Sequence, residues 1–197
     1  MYSSNIYFLG HFKNGCKYAP ALPCVGETFQ NKSSYISKIY DRDEDAYIEW
    51  DHYETLFLSN MQNKPDFITE ITPPCTVDIS DLLPESIQVI QKCNKMNRQR
   101  ILNTSLKQIQ VKHGTNILVL YAKDALFWSF FVHMGSLFKG LQFLEQHNII
   151  QPEIMPLNIV FDPKQRRFLL SQFMLSQKST TFYKANTLYG LSEAHFY

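Results

Sequence analysis

Glu153 and Asn158 stand five positions apart, just before a short apolar strand predicted at residues 159–161. A carboxylate that takes up a proton and an amide that binds a metal ion, both on one turn of chain, are groups that a phosphoryl-transfer loop requires. Pro152 precedes the acid, however, and glutamate is one methylene longer than aspartate. The segment therefore has spacing suited to phosphoryl transfer but unusual side chains for it.

The elements that must position this loop begin with short strands at residues 6–9 and 17–19, on either side of a loop at residues 10–16. The alternation of YISKIY at residues 35–40 predicts a half-buried strand. A helix is predicted at residues 44–61, where apolar side chains recur with helical spacing. This apolar stripe consists of Ala46, Trp50, Tyr53 and Phe57.

The second half of the chain is predicted to be organised around a long helix at residues 126–146, with a buried strand at residues 116–121 before it. The order of strands and helices indicates an α+β fold in two lobes. The remaining predicted elements are strand and loop at 64–84, a helix at 85–100, and two strands at 158–161 and 167–171. The inward face of the long helix is predicted to consist of Met134, Leu137, Phe138, Leu141 and Leu144.

Composition excludes some functions. The chain has 197 residues and a formal net charge of +1, which gives no electrostatic reason to expect nucleic-acid binding. The loose basic stretch of Lys95, Arg98, Arg100 and Lys107 lacks interleaved aromatic residues and is interpreted as a solvated face. No apolar run is long enough to span a membrane, and the N-terminus lacks the pattern of a secretory signal. We therefore expect a soluble, intracellular protein.

The four cysteines, Cys16, Cys24, Cys75 and Cys93, lie far apart in the sequence and never form a C-x-x-C pair. Zinc sites commonly use closely spaced ligand pairs, and the six histidines do not supply the missing partners. We therefore predict structural thiols in a reducing compartment and no metal site.

Four segments, in this order, carry a family resemblance: LGHFKNGCKYAPALPC, YISKIYDRDEDAYIEW, GLQFLEQHNIIQPEIMPLNIVF and RFLLSQFMLS. With these segments the chain resembles protein kinases, and more closely the serine/threonine kinases of giant nucleocytoplasmic DNA viruses, from about residue 5 to residue 197. The resemblance implies a two-lobed kinase-like fold. Residues 1–124 would form a small β-rich N-lobe with one long helix, and residues 125–197 an incomplete, truncated helical C-lobe.

The resemblance assigns the first lobe a vestigial ATP site. Gly10, Phe12 and Gly15 match the glycine-rich loop that covers the phosphates, with Phe12 in place of the middle glycine. Lys38 matches the strand lysine that holds the phosphates, and Glu49 matches its helical partner. An ordinary hairpin and two surface charges remain the alternatives, and the Lys38–Glu49 pair could also be retained for structure alone.

In the second lobe, the resemblance predicts loss of the chemistry. The letters QPE at residues 151–153 stand where the family has His-Arg-Asp, so Glu153 occupies the base position, and Met155 replaces the lysine that neutralises the phosphoryl group. Asn158 is kept. Gln172 replaces the aspartate that binds Mg²⁺, and a neutral carbonyl is a poor substitute for an anionic oxygen.

These departures predict a catalytically inactive kinase-like protein, with no cofactor or metal, that acts as a structural or protein-binding module in a virion, a virus factory or the host cytoplasm. A protein partner, such as a capsid or other virion protein, or self-association is expected to cover the helix at residues 126–146, since its aromatic side chains would otherwise be exposed. The alternative is a nucleotide-binding pseudokinase, or a weak atypical serine/threonine phosphotransferase, that uses ATP and Mg²⁺ through Lys38, Glu49, Glu153 and Asn158.

Overall fold

The chain begins with a β-hairpin whose turn is only two residues long. The computed structural model describes residues 6–26, 34–59, 65–96, 101, 105–112, 116–117 and 127–179. Strand β1 spans Tyr7–Phe12 and β2 spans Gly15–Ala19. They pair antiparallel, with His11 opposite Cys16. The loop predicted at residues 10–16 was wrong, because all but Lys13 and Asn14 of that segment continue the two strands.

This hairpin belongs to a five-stranded antiparallel sheet with the order β1-β2-β3-β5-β4. Strand β3, Tyr35–Tyr40, lies where the alternating sequence predicted it, but the prediction of a half-buried strand was wrong, because residues 36–40 are all buried. Strand β4 spans Cys75–Val77. Strand β5, Leu106–Lys112, pairs with both β3 and β4. Sequence reasoning did not predict β5 and assigned Lys107 to a solvated face.

Two helices lie between strands of this sheet in chain order, one after β3 and one after β4. Helix α1 spans Asp43–Tyr53 and continues as a π-helical turn at Glu54–Leu58, so it begins one residue before the helix predicted at residues 44–61 and ends three residues before its predicted end. Helix α2 spans Pro84–Ile90, with proline in its first turn, where a missing backbone N–H costs nothing. The helix predicted at residues 85–100 was therefore too long, since turns follow Ile90; residues 97–100 lie outside the described part.

The remaining elements are built around α3, Phe127–Gln146, which confirms the long helix predicted from the sequence. Two antiparallel strands follow it, β8 at Ile159–Asp162 and β9 at Arg167–Leu170, and these also lie where they were predicted. β8 pairs in addition with β6, Asn116–Ile117, whereas residues 118–121 of the predicted buried strand lie outside the described part. A separate antiparallel pair joins β7, Ile149–Ile150, to β10, Gln177–Lys178.

The chain divides into two units. The first unit comprises Met1–Asp51 and Thr69–Gly114, and the second comprises His52–Ile68 and Thr115–Tyr197. In the first, side chains from β2, β3, α2 and β5 form an apolar core. In the second, Leu137 and Leu144 of α3 are buried, and so is Phe168 of β9. The fold is α+β; the division predicted at residue 124 stays a prediction.

One residue of the predicted inward face of α3 is exposed. Phe138 has 62% of its surface accessible, although Leu137 beside it is 5% exposed. The prediction was wrong at this position because 137 and 138 point about 100° apart on a helix, so both cannot face one narrow core. In the part of the chain that the structure describes, no helix is both long and apolar enough to cross a membrane.

The four cysteines form two disulfides, Cys16–Cys93 and Cys24–Cys75, with Cα–Cα distances of 6.0 and 5.7 Å. The prediction of unpaired structural thiols was wrong. The partners are separated by 77 and 51 residues in sequence, so only the fold shows that they are neighbours. Disulfides persist in oxidising environments, and the reducing compartment inferred from the thiols therefore loses its basis.

Candidate functional site

The first candidate site is the buried ion pair between Lys38 and Glu49. Lys38 lies on β3 and Glu49 on α1, and their side chains are 1% and 0% exposed. The ammonium donates hydrogen bonds to both carboxylate oxygens, with Nζ–Oε1 and Nζ–Oε2 distances of 2.5 Å. The two charges therefore neutralise each other inside the first unit, and the alternative of two separate surface residues was wrong.

Two aromatic rings complete the enclosure of the lysine. Nζ of Lys38 lies 4.8 Å from the ring centroid of Phe12 and 5.5 Å from that of Tyr40. The Tyr40 hydroxyl donates a 2.6 Å hydrogen bond to Oε2 of Glu49, and the Phe12 ring meets the Tyr40 ring edge-on at 5.1 Å. We call Phe12, Lys38, Tyr40 and Glu49 the lysine cage.

The lysine cage satisfies the ammonium without any ligand. Cation–π contacts and a two-oxygen ion pair stabilise a charge that burial would otherwise make costly. A phosphate that is to contact Nζ must displace the Phe12 ring or compete with Glu49. The arrangement therefore suits a fixed structural cation better than an open phosphate ligand.

The two predicted phosphate-loop glycines have backbone reasons of their own. Gly10 has a φ of +133° at an irregularity in the β1–β2 pairing, a conformation that favours glycine. A Cβ added at Gly15 would lie 2.0 Å from the Ile39 carbonyl oxygen and 2.9 Å from Cζ of Phe12. Gly15 is thus required by the close approach of β3 and of Phe12, and neither glycine depends on a phosphate for its explanation.

The second candidate site is the loop of Glu153 and Asn158 in the second unit. The Asn158 side chain donates a 3.1 Å hydrogen bond from Nδ2 to the backbone carbonyl of Glu153, and its backbone N–H donates to the Met155 carbonyl at 2.8 Å. Ser171 donates to the Asn158 carbonyl from both N and Oγ, each at 3.0 Å. Asn158 is 9% exposed, so it closes the loop and ties it to the end of β9.

Neutral amides fix the neighbouring segment. Gln151 donates from Nε2 to the Gln172 carbonyl and accepts at Oε1 from the Ser176 hydroxyl. Gln151, Gln172 and Ser176 are 8%, 1% and 0% exposed. We call these three residues the amide network. The predicted metal position, Gln172, thus belongs to a hydrogen-bonded set that carries no formal charge, and Gln151 of this set lies two residues before the predicted base, Glu153.

Aromatic packing holds the residue after Gln172. Phe173 is fully buried, and its ring lies 5.4 Å from that of Tyr53 and 5.2 Å from that of Phe57. The next residue, Met174, accepts a hydrogen bond at its carbonyl oxygen from the His52 ring, with a 2.8 Å distance to Nδ1. This segment is positioned by packing.

The residues in the second unit do not fit a Mg²⁺–ATP complex. Magnesium prefers anionic oxygen ligands, whereas Gln172 offers a neutral, buried amide and Asn158 uses its amide group to close the loop. Met155, which is 46% exposed, supplies no charge for a phosphoryl group. We therefore derive no catalytic step through this loop.

The structure groups the predicted residues within each unit. Lys38 contacts Glu49, and Gly10 and Gly15 lie on the hairpin that carries Phe12. In the second unit, Asn158 contacts Glu153. Sequence reasoning missed Tyr40, which follows Lys38 by two residues on the same strand. The period of two in a strand places both side chains on one face, so this signal was present.

Sequence reasoning also missed the structural role of Gln151. A glutamine in an otherwise apolar and charged segment gives no sign of the carbonyl and hydroxyl groups that it joins.

In comparisons with known proteins, no protein-family model and no curated protein matches this chain.

Proposed function

We propose that this chain is a catalytically inactive kinase-like protein that acts as a protein-binding or structural module. The observation that carries the proposal is the lysine cage, in which the cation expected to hold phosphates is 1% exposed and covered by Phe12 and Tyr40. Protein kinases pair a lysine of the third strand with a glutamate of the following helix. Lys38 on β3 and Glu49 on α1 match that arrangement and support a two-lobed kinase-like fold.

Loss of catalysis is supported by the second unit. A longer acid at Glu153, methionine at position 155 and neutral Gln172 remove the positioned base, the neutralising cation and the anionic metal ligand. Misplacing a catalytic group by about 1 Å can already cost roughly 10²-fold in rate. Three such losses favour a function that does not need phosphoryl transfer.

The protein-binding part of the proposal is supported by one side of α3, which we call the α3 apolar face. It consists of Trp128, Phe131, Val132 and Phe138, which are 77%, 53%, 74% and 62% exposed. Phe131 and Val132 follow Trp128 by three and four residues, and Phe138 follows Phe131 by seven, which places all four along one side of the helix. Contiguous exposed aromatic and aliphatic side chains of this kind mark protein interaction surfaces.

A groove of about 290 Å³ adjoins this face and indicates the partner's chemistry. Val132 belongs to both the groove and the face, and Gly135 leaves space between neighbouring turns. Lys139 and Arg167 line the groove, with Asp66 paired to Arg167 at 3.1 Å. We infer a protein partner that presents apolar side chains to the face and a carboxylate to the groove.

The two disulfides favour a virus particle over the host cytoplasm as the place of action. Virion surfaces are among the environments in which disulfides persist. The resemblance to kinases of giant DNA viruses gives the same location. A capsid or other virion protein is therefore the class of partner that we propose.

A photocrosslinking experiment tests the partner. A photoreactive phenylalanine analogue is placed at Phe138 and, as a matched control, at Val25, which is 58% exposed in the first unit. We expect one defined protein to be crosslinked from position 138, at near-stoichiometric yield, and lost when Trp128→Ser and Val132→Ser are added. Equal products from both positions would contradict the proposal, and a crosslinked second copy would replace the partner by self-association.

The alternative function is nucleotide binding, and the retained Lys38–Glu49 pair is the observation that favours it. Thermal unfolding of the wild-type protein is measured with millimolar ATP, with and without Mg²⁺. We expect no change in Tm, because the ammonium is already satisfied. A rise in Tm that Lys38→Met abolishes would favour the nucleotide-binding pseudokinase or weak phosphotransferase.

A further inference from the structure

The Cys16–Cys93 disulfide has a third potential metal ligand beside it. His11 on β1 is the cross-strand partner of Cys16 on β2, and its Nδ1 lies 3.2 Å from Sγ of Cys16. Nδ1 or Nε2 of His11 and the two sulfur atoms all lie within 4.8 Å of one another. An imidazole and two thiolates are the ligands that zinc prefers.

We propose that reduction of the Cys16–Cys93 disulfide creates a zinc site formed by His11, Cys16 and Cys93. The S–S bond is cleaved by a two-electron reductant and two thiols are formed. A dithiol supplies both electrons and both protons and becomes a disulfide, whereas a phosphine takes an oxygen atom from water, whose two protons go to the sulfurs, and becomes a phosphine oxide. Zn²⁺ then binds both sulfurs as thiolates and one nitrogen of His11, and the two thiol protons pass to solvent.

The spacing of the ligands suits tetrahedral zinc. With Zn–S near 2.3 Å and Zn–N near 2.0 Å, ligand atoms of a tetrahedral site lie about 3.5–3.8 Å apart. The Nδ1–Sγ distance at Cys16 is already 3.2 Å. Once the S–S bond is cleaved, side-chain rotation of the cysteines has to bring the two sulfurs to a separation of about 3.8 Å.

The backbone around the two cysteines is held independently of the disulfide. The β1–β2 pairing fixes His11 against Cys16. The Tyr18 hydroxyl donates a 3.0 Å hydrogen bond to the Ile90 carbonyl, which joins β2 to the end of α2. The N–H of Cys93 donates to the same carbonyl at 3.1 Å. Reduction should therefore leave the two sulfur atoms opposed.

The charge and exposure of the ligands are also suitable. Cys16 and Cys93 are 0% and 1% exposed, while His11 is exposed. One Zn²⁺ and two thiolates have no net charge, so the site is tolerated in an apolar core better than free thiolates would be. Solvent on the His11 side supplies a water for the fourth position, which makes this an open site.

The other disulfide provides an internal control. Cys24 and Cys75 have side-chain amides beside them, with Nε2 of Gln108 3.4 Å from both sulfurs and Nε2 of Gln110 3.3 Å from that of Cys24. Amide N–H groups do not bind zinc. The same reduction therefore produces two thiols at each disulfide, but among the residues that the structure describes it leaves three metal ligands together only at Cys16–Cys93.

The test is titration of the full chain with Zn²⁺, and with Co²⁺ as a spectroscopic substitute, before and after reduction by a water-soluble phosphine. We expect one metal ion per chain only after reduction, with thiolate-to-cobalt charge-transfer bands. The Cys24→Ser/Cys75→Ser variant should keep this site. His11→Ala changes an exposed residue, so the fold is retained, and affinity should fall at least about tenfold, the lower end of the effect of losing an outer-shell partner.

Three results would overturn the proposal: no metal binding by the reduced protein, metal binding of equal affinity before reduction, or unchanged affinity in His11→Ala. The Cys16→Ser/Cys93→Ser variant, checked for folding by circular dichroism, should bind no metal. If it is unfolded, the cobalt spectrum of His11→Ala still decides, since loss of the imidazole changes the ligand-field bands while the thiolate bands remain.

Discussion

The lysine cage in the first unit and the amide network in the second hold their side chains in place in opposite ways. The cage keeps both charged residues, with Lys38 and Glu49 in a two-oxygen ion pair of 2.5 Å. The network contains no charged residue, and Gln151 joins Gln172 to Ser176 through neutral hydrogen bonds. In both, a side chain at a position predicted to bind a ligand is buried, since Lys38 and Gln172 are each 1% exposed.

This difference shows that a buried lysine is not by itself evidence of a reaction. Rings and a carboxylate surround the ammonium of Lys38. Gln172 is neutral, and its segment still keeps a defined position through a hydrogen bond from Gln151. Each region can therefore be explained by structural needs, and variants of the two regions should affect stability more than any binding of nucleotide.

The largest effect is expected from breaking the charged pair. Glu49→Ala leaves an uncompensated ammonium in the core, which should lower the free energy of unfolding by about 3–5 kcal/mol. Chemical denaturation with urea measures this change. Glu44→Ala, at an exposed position of the same helix, is the matched control and should change stability by less than about 0.5 kcal/mol.

The double variant Lys38→Met/Glu49→Leu sharpens this test. Removing both charges and keeping similar volume should restore most of the lost stability, because a buried ion pair replaced by apolar residues is often neutral. If the double variant is as unstable as Glu49→Ala, the pair contributes more than charge compensation, and the structural account of the cage fails.

A smaller effect is expected from the amide network. Gln151→Ala leaves the buried Gln172 carbonyl and Ser176 hydroxyl without this partner, at about 1–3 kcal/mol for each unsatisfied group. We expect a total loss of about 2–3 kcal/mol, measured by denaturation. Gln165→Ala, in the exposed turn between β8 and β9, should be near neutral. Equal stability of the two variants would mean that the network does not hold the segment.

A still smaller effect is expected when the cage is opened without removing a charge. Phe12→Ala removes a cation–π contact and an edge contact with Tyr40, together worth about 1–2 kcal/mol. Phe8→Ala is the control, because Phe8 is also half-buried on β1 but contacts His11 and Tyr18. ATP should not raise the Tm of either variant, since Glu49 still binds Lys38. An ATP-dependent rise confined to Phe12→Ala would show that the ring alone excludes nucleotide.

Elements whose apolar residues recur in a clear pattern were predictable from the sequence. The alternation at residues 35–40 and the long apolar segment of α3 each determined one conformation, and the structure has both. Strand β5 was missed, and Lys107, one of its polar residues, was assigned to a solvated face. Gln108 and Gln110 are 0% and 1% exposed, and both donate to the Leu22 carbonyl at 2.9 Å. A buried glutamine cannot be distinguished from an exposed one until its acceptor is known.

The candidate site was predictable where it follows from local geometry. Lys38 and Glu49 are 11 residues apart on consecutive elements, so their contact could be expected. His11 and Cys16 are five residues apart across a two-residue turn, and a tight hairpin makes such residues neighbours. In contrast, the partner of each cysteine and the groups bound by Gln151 come from distant segments. No local pattern specifies such contacts, because they depend on how whole elements pack.

The smallest expected effect concerns His133 of α3, in the second unit. It is a dependence of thermal stability on pH. This residue is 8% exposed, its ring lies 5.0 Å from that of Phe161, and burial, with a smaller contribution from Arg166, lowers the pKa of its imidazole. A lowered pKa in the folded state means that the unfolded chain binds more protons below the ordinary histidine pKa of about 6.5. The folded protein is therefore most stable above this pH, and its stability falls as the pH drops below it.

We expect Tm to decrease between about pH 7 and pH 5.5, and to decrease less in His133→Gln, which cannot be protonated in this range. The difference between the two pH profiles removes the contribution of the other histidines. Identical profiles would mean that His133 is not responsible, whereas a smaller slope in the variant would assign part of the acid sensitivity to this residue of the second unit.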